Sequence, residues 1–165
     1  DMNIQEFWVK NKAKPKVLDV YYQNSERAKC NEDALKIIRS SDIIIISPAN
    51  PISSIAPILS LAQIKEELIE QRERVIAISP VIGNKAISGP AGKYLKAKGI
   101  ESSAKGIAKF YSQLISKIVI DNSDSDMSKE INKIGVSSLE TNILMNNAKE
   151  EKRLARLILR VMNYQ

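Results

Sequence analysis

Two short runs constrain the fold of this chain more than any other feature. Ile43-Ile44-Ile45-Ile46 and Val75-Ile76-Ala77-Ile78 are apolar at every position, and each leaves through a Ser-Pro pair, Ser47-Pro48 and Ser79-Pro80. A strand with one wet face alternates apolar and polar residues, whereas a run that is apolar throughout suits a strand covered on both faces, as in a parallel sheet flanked by helices. Lys117 to Ile120 and Val136 to Leu139 read as further strands, and Val17 to Tyr22, β-branched and aromatic, as an earlier one.

Helical patterns fill the intervals. Asn31 can cap a helix running through Leu35 and Ile38 to Ser40, with Glu32 and Asp33 in its first turn. After the first Ser-Pro, Ser53 or Ser54 is expected to start helical structure interrupted near Pro57, followed by a helix from Leu61 to Gln71 with Leu61, Ile64 and Leu68 on one face. Further helices are expected up to about Lys98, from Ser102 or Ser103 through Ile107, Phe110, Leu114 and Ile115, over Asp124 to Lys133, and from Ala148 to Met162. Strands that alternate with helices in this way predict an α/β fold with a mainly parallel sheet, one domain over residues 1–165.

Composition removes several functions. The 165 residues contain no histidine and one cysteine, Cys30, so neither an internal disulfide nor a Cys/His zinc site nor histidine catalysis can arise from this chain. No run approaches the roughly 20 apolar residues of a membrane span, and Asp1-Met2-Asn3-Ile4-Gln5-Glu6 lacks the basic-then-apolar pattern of a signal peptide. A cytoplasmic protein with no membrane partner is the expectation. The net charge of +6 would suit an anionic ligand, but the lysines are scattered and only 5% of residues are aromatic, which argues against nucleic acid.

Chemistry is expected where the strands end, because ligands of parallel sheets bind at the carboxyl ends of their strands. In the first loop Ser47, Asn50, Ser53 and Ser54 supply compact hydrogen-bonding groups, and Pro48 and Pro51 hold the chain extended. In the second, Ser79 to Pro90, Gly83 and Gly89 let backbone amides approach an anion and Lys85 can meet a phosphate as a point charge. If their strands are parallel neighbours, the two loops lie side by side and suit a nucleotide-like ligand. The alternative is that Gly and Pro merely punctuate strand-to-helix connections. No Walker loop and no Gly-x-Gly-x-x-Gly fingerprint is present.

Other candidates read as structural. Asp121-Asn122-Ser123-Asp124-Ser125-Asp126 lacks the central glycine of a calcium loop and suits a capped strand-to-helix turn. Tyr94 and Tyr111 suit packing or a rim, Cys30 a plain surface or half-buried thiol, and the basic face of the last helix a solvated surface.

Taken together, SSDIIIISPANPISSIAPIL, SPVIGNKAISGPAGKYL, GIESSAKGIAKFYSQLISKIVID and ETNILMNNAKEEKRLARLIL resemble, in order and spacing, the C-terminal half of the 2-phospho-L-lactate transferases of deazaflavin coenzyme biosynthesis. IQEFWVK is similar to that family's Gln-Glu-x-Phe/Tyr segment, and the resemblance covers essentially all 165 residues. It implies a Rossmann-like three-layer fold. It also implies transfer of a phospholactyl or phosphoenolpyruvyl group from a guanosine-diphosphate-linked donor to the ribityl hydroxyl of a hydroxy-deazaflavin, with release of GMP and a requirement for magnesium.

Carried over by position, Ser47, Asn50, Pro51, Ser53, Ser54, Gly83 and Lys85 would form the guanine-nucleotide site. The sequence departs from the family's pattern at Ala49 and Ser88, where serine and lysine are common. The family's glycine-rich loop and metal-holding acids belong to an N-terminal half, so magnesium ligands are expected outside this chain. No catalytic residue is singled out here. The isolated chain is expected to be inactive, and either to self-associate, a homo-oligomer being one outcome, or to need its missing half for full stability. Two alternatives stand beside the transferase: a nucleotide-sugar-binding regulator of the related gluconeogenesis-factor group, and a non-catalytic interaction domain that uses the basic terminal helix.

Overall fold

A computed structural model describes residues 1–87 and 89–163. In chain order the elements are α1 (Glu32–Ser40), β1 (Ile44–Ile46), α2 (Ala56–Leu59), α3 (Ala62–Glu70), β2 (Val75–Ile78), β3 (Val81–Ile82) and β4 (Lys85–Ala86). There follow α4 (Ala91–Ala97), α5 (Ala104–Tyr111), β5 (Lys117–Ile120), α6 (Ser128–Lys133), β6 (Ser137–Glu140) and α7 (Ala148–Val161). β1, β2, β5 and β6 form one sheet in that order, every neighbouring pair parallel, while β3 and β4 make a small antiparallel hairpin. The fold is therefore α/β with a mainly parallel sheet, consistent with a Rossmann-like architecture.

The all-apolar runs behave as burial on both faces demands. Val75 and Ala77 of β2 point to the same side as Ile46, Ile118 and Ile120, and there they meet Leu35 of α1, Ile64 and Leu68 of α3, Leu95 of α4, Ile107 of α5 and Ile131 of α6. Ile76, Ile78 and Val119 point the other way, onto Leu154 and Ile158 of α7. Period-2 alternation thus divides one strand between two cores and yields three layers. All four residues of β2 are buried.

Caps close the helices where short polar side chains allow. The Asn31 side chain accepts the N–H groups of Asp33 (2.8 Å) and Ala34 (3.3 Å) at the start of α1. Ser103 accepts that of Gly106 (3.0 Å) in α5, and Asn147 those of Lys149 and Glu150 (3.1 Å each) in α7. Glu67 of α3, almost wholly buried, takes the Arg39 guanidinium of α1 at 2.5 Å and ties the two helices together.

Several expectations are corrected. Val17 to Tyr22 is not a strand: Val17 and Val20 pack on the core, Asp19 pairs with Lys98 at 2.7 Å, and the segment joins no ladder. Its β-branched residues are apolar anchors of an extended arm. Just upstream, the Lys93 ammonium donates to the carbonyls of Ala13 (2.5 Å), Lys14 (3.0 Å) and Pro15 (3.3 Å), fixing that arm to α4. The helical structure after the Asn-Pro pair begins at Pro51, not at Ser53 or Ser54. The segment expected as one helix over Asp124 to Lys133 is a 3-10 turn, Asn122–Met127, continued by α6. α5 stops at Tyr111, so Leu114 and Ile115 pack from the turn into β5. Among the described residues no helix is long and apolar enough to cross a membrane.

Candidate site at the carboxyl edge of the sheet

β1 and β2 are hydrogen-bonded neighbours, with Ile46 opposite Ala77, so the loops that follow them leave the same edge of the sheet side by side. The first loop is organised by Asn50. Its side-chain oxygen accepts the N–H groups of Ile52 (3.0 Å) and Ser53 (3.1 Å), capping a wide helical turn over Pro51–Ile55, with Pro51 at the first position where a missing N–H costs nothing. Pro51 and Ile52 are buried beneath the turn, and the Tyr22 hydroxyl donates to the Ile52 carbonyl at 2.6 Å, bracing it from the N-terminal arm. Ser47 and Ser54 are exposed and Ser53 is half-buried. Asn50 therefore spends its oxygen on the loop itself, and its side-chain N–H groups donate to no described residue.

The second loop is built differently from the expectation. Ser79 is fully buried and its hydroxyl donates to the Val81 carbonyl (2.8 Å) while accepting the Val81 N–H (3.1 Å), which turns the chain into the β3–β4 hairpin. Gly83 opens the two-residue Gly83-Asn84 turn with φ of 60°. Its N–H, the group an anion would need, already donates to both carboxylate oxygens of Asp124 at 2.8 and 3.1 Å. Gly89, with φ of 59°, lies under the Trp8 ring, so close that a Cβ would approach it to 2.8 Å. That glycine serves packing of the N-terminal arm. Lys85 is exposed on β4 and is the cation of this loop free to face a ligand; it makes no ion pair among the described residues. Ser88 lies outside the described residues.

Two carboxylates distant from this loop in the chain complete the edge. Asp124, 1% exposed, is pushed up from the ordinary carboxyl range by burial, against the Gly83 hydrogen bond and with help from the negative charges of Asp121 and Asp126. At Asp121, at the end of β5, burial also raises the value. There the N–H and hydroxyl of Ser123 and the N–H of Ile143 outweigh burial and hold the carboxyl below its usual range. The Asp121 to Asp126 run thus forms a capped turn that stitches the ends of β5 and β6 to the hairpin. Forty-one residues separate Gly83 from Asp124, and nothing in local sequence announces their bond.

Among the described residues no group of three or more Asp, Glu, His or Cys side chains is placed to hold a metal. Tyr94 and Tyr111 are buried in the core, their hydroxyls without a hydrogen-bond partner among the described residues, and burial pushes both phenols up. Cys30 is half-buried.

Compared with known proteins, residues 1–161 match the family model described as 2-phospho-L-lactate transferase CofD. A 2-phospho-L-lactate transferase of Methanocaldococcus jannaschii is 47% identical over 158 residues, covering 96% of this chain and 49% of that protein. Proteins of the same name from Methanococcus maripaludis and Methanothermobacter thermautotrophicus are 41% and 37% identical, again over 96% of this chain and 50% of their own length. The chain spans about half the length of the curated relatives it matches.

Proposed function

The chain belongs to the 2-phospho-L-lactate transferase family, and from that premise we propose that it forms the C-terminal portion of an enzyme that moves a phospholactyl group, or a phosphoenolpyruvyl relative, onto a hydroxy-deazaflavin. In this reading a ribityl hydroxyl attacks the phosphorus that carries the lactyl group in a guanosine-diphosphate-linked donor. A new phosphodiester forms, the bond to GMP breaks, and the hydroxyl proton is released. Such transfers depend on positioning and charge neutralisation more than on a covalent protein nucleophile, which accords with a chain that has no histidine.

The observation that carries the reading is the match of nearly the whole chain to that family, joined to the side-by-side placement of the two strand-end loops. Asn50 would hold the nucleotide through its side-chain N–H groups, since its oxygen is committed to the turn. Ser47, Ser53 and Ser54 would add hydroxyls around it, with Pro51 fixing the turn that presents them. Lys85 would face the phosphates, while Gly83 shapes the hairpin that carries Lys85 and leaves its own N–H with Asp124. Magnesium would draw its ligands from outside these residues. A soluble cytoplasmic enzyme is the setting this reading expects.

Asn50→Asp separates ligand contact from folding. The substitution keeps an oxygen that caps the turn, so stability should stay within about 0.5 kcal/mol, but it loses the N–H donors and sets a negative charge against phosphate. GDP titrated into the intact protein should shift amide signals at Asn50, Ser53, Gly83 and Lys85, and Asn50→Asp should weaken that binding about tenfold or more. Unchanged affinity, or shifts confined to α7, would remove the assignment.

A further inference from the structure

α7 carries a basic stripe that shares no residue with the strand-end loops. Lys149, Lys152, Arg153, Arg156 and Arg160 recur at spacings of three and four, which places them along one outward stripe of the helix. They line a groove of about 480 Å³ against Thr141 at the end of β6. The opposite stripe, Leu154 and Ile158, is buried on the sheet. None of the five cations forms an ion pair among the described residues. Arg153 is nevertheless held in place, donating to the Thr141 hydroxyl at 3.0 Å and to the Asn142 carbonyl. Both acceptors are neutral, so the guanidinium is oriented while its charge stays uncompensated. The acidic neighbour Glu150 accepts the Asn146 N–H at 2.6 Å and pairs with none of the five cations.

We propose that this groove binds a small oligophosphate, a ligand of two or three linked phosphate groups without a nucleobase. Its volume suits a small molecule. A nucleoside would want an aromatic or broad apolar wall, and the lining offers one apolar residue, Leu157. That single leucine also falls short of the apolar centre a protein partner needs. A membrane is disfavoured too, because the apolar stripe of α7 is already spent on the core. Cations on successive turns extend over about 16 Å from Lys149 to Arg160, so an anion of two or three linked phosphates can meet more of them at once than orthophosphate can. None of the residues of the Asn50 and Gly83 loops lines the groove, and the inference does not depend on the transferase reading.

The test is titration of the intact protein at constant ionic strength with orthophosphate, pyrophosphate and tripolyphosphate. Calorimetry and the arginine side-chain N–H signals serve as readouts. Affinity should rise along that series, with one saturable site. Arg156→Ala should weaken tripolyphosphate about tenfold, and Arg156→Lys, which keeps the charge but not the fork, by roughly threefold. Lys152→Ala should act like Arg156→Ala, while Lys65→Ala, an exposed lysine of α3, should leave affinity unchanged; all three positions are exposed, so thermal melts should agree with wild type. An equal loss in Lys65→Ala would reduce the groove to general positive charge, and equal affinity for all three anions would show that linked phosphates gain nothing there; either result overturns the proposal. So would GDP perturbing the groove arginines more than pyrophosphate does, since that would assign the site to a nucleotide. Failure of GDP to bind the strand-end loops would leave these outcomes untouched.

Discussion

Asp124 is a buried carboxylate whose two oxygens share one backbone donor, the Gly83 N–H. Burial and the neighbouring Asp121 and Asp126 outweigh that bond and raise its proton affinity in the folded protein. A group whose folded value lies above its unfolded one favours folding while protonated. Its contribution is complete below the unfolded carboxyl range near 4 and is lost as pH rises through the folded value. Asp121 has the opposite sign: its hydrogen bonds hold it low, so its contribution is present above the unfolded value and lost as the solution is acidified. Asp124→Asn keeps an oxygen for Gly83 and cannot ionise. Urea midpoints measured between pH 4 and 7 should therefore fall less with rising pH in Asp124→Asn than in wild type, and parallel curves would show that the carboxyl is not perturbed. At this scale the sequence was least legible. The donor and acceptor that fix the hairpin lie on different loops, and only the folded sheet brings them together.

At the scale of elements, legibility followed burial. β2 could be placed from sequence because a strand buried on both faces leaves an unbroken apolar run, and β5 because only its first residue, Lys117, departs from that pattern. Asn31 could be placed as a cap, and the α5 cap narrowed to Ser102 or Ser103, because the helical period begins directly after them; the structure selects Ser103. Val17 to Tyr22 misled because an extended arm packing through Val17 and Val20 has the composition of a strand without its partner. The β3–β4 hairpin escaped notice because two residues per strand carry no period, although Gly83-Asn84 is a two-residue turn signal. In the Asn-Pro loop the residue that starts the helix was hidden by its neighbours: Ser53 and Ser54 are ordinary caps, yet Asn50 before Pro51 is the better one. A tighter constraint sits in α5. A Cβ on Gly106 would collide with the Glu101 carbonyl oxygen, and backbone cannot yield as a flexible side chain would. Gly106→Ala would raise helix propensity on an exposed helix, but here it should destabilise the protein by about 1–3 kcal/mol, as overpacking does. A chemical denaturation curve with an unchanged or higher midpoint would refute that close approach.

The whole molecule has two unlike sheet edges. β6 ends the sheet on one side with Ser137, Ser138, Leu139 and Glu140, a polar edge of the kind that discourages pairing with another chain. β1 ends it on the other with three isoleucines, and among the described residues no strand pairs with its outer side. Ile45 is 42% exposed on the face where α7 covers β2 and β5, and Ile37 and Ile58 are exposed as well, at 64% and 49%. An apolar, unpaired parallel strand is a template for a further strand, and relatives twice as long have the chain to supply one. These 165 residues on their own should consequently associate through β1, the more so as concentration rises, despite the net charge of +6 that favours solubility. Ile45→Lys places a charge on that edge and should return the chain toward monomer, whereas Ser138→Lys, on the edge that is already polar, should change little. Sedimentation velocity over a range of concentrations reads both. A chain that is monomeric at every concentration, or that responds equally to the two substitutions, would show that β1 is not the adhesive edge and that the exposed isoleucines are isolated surface residues.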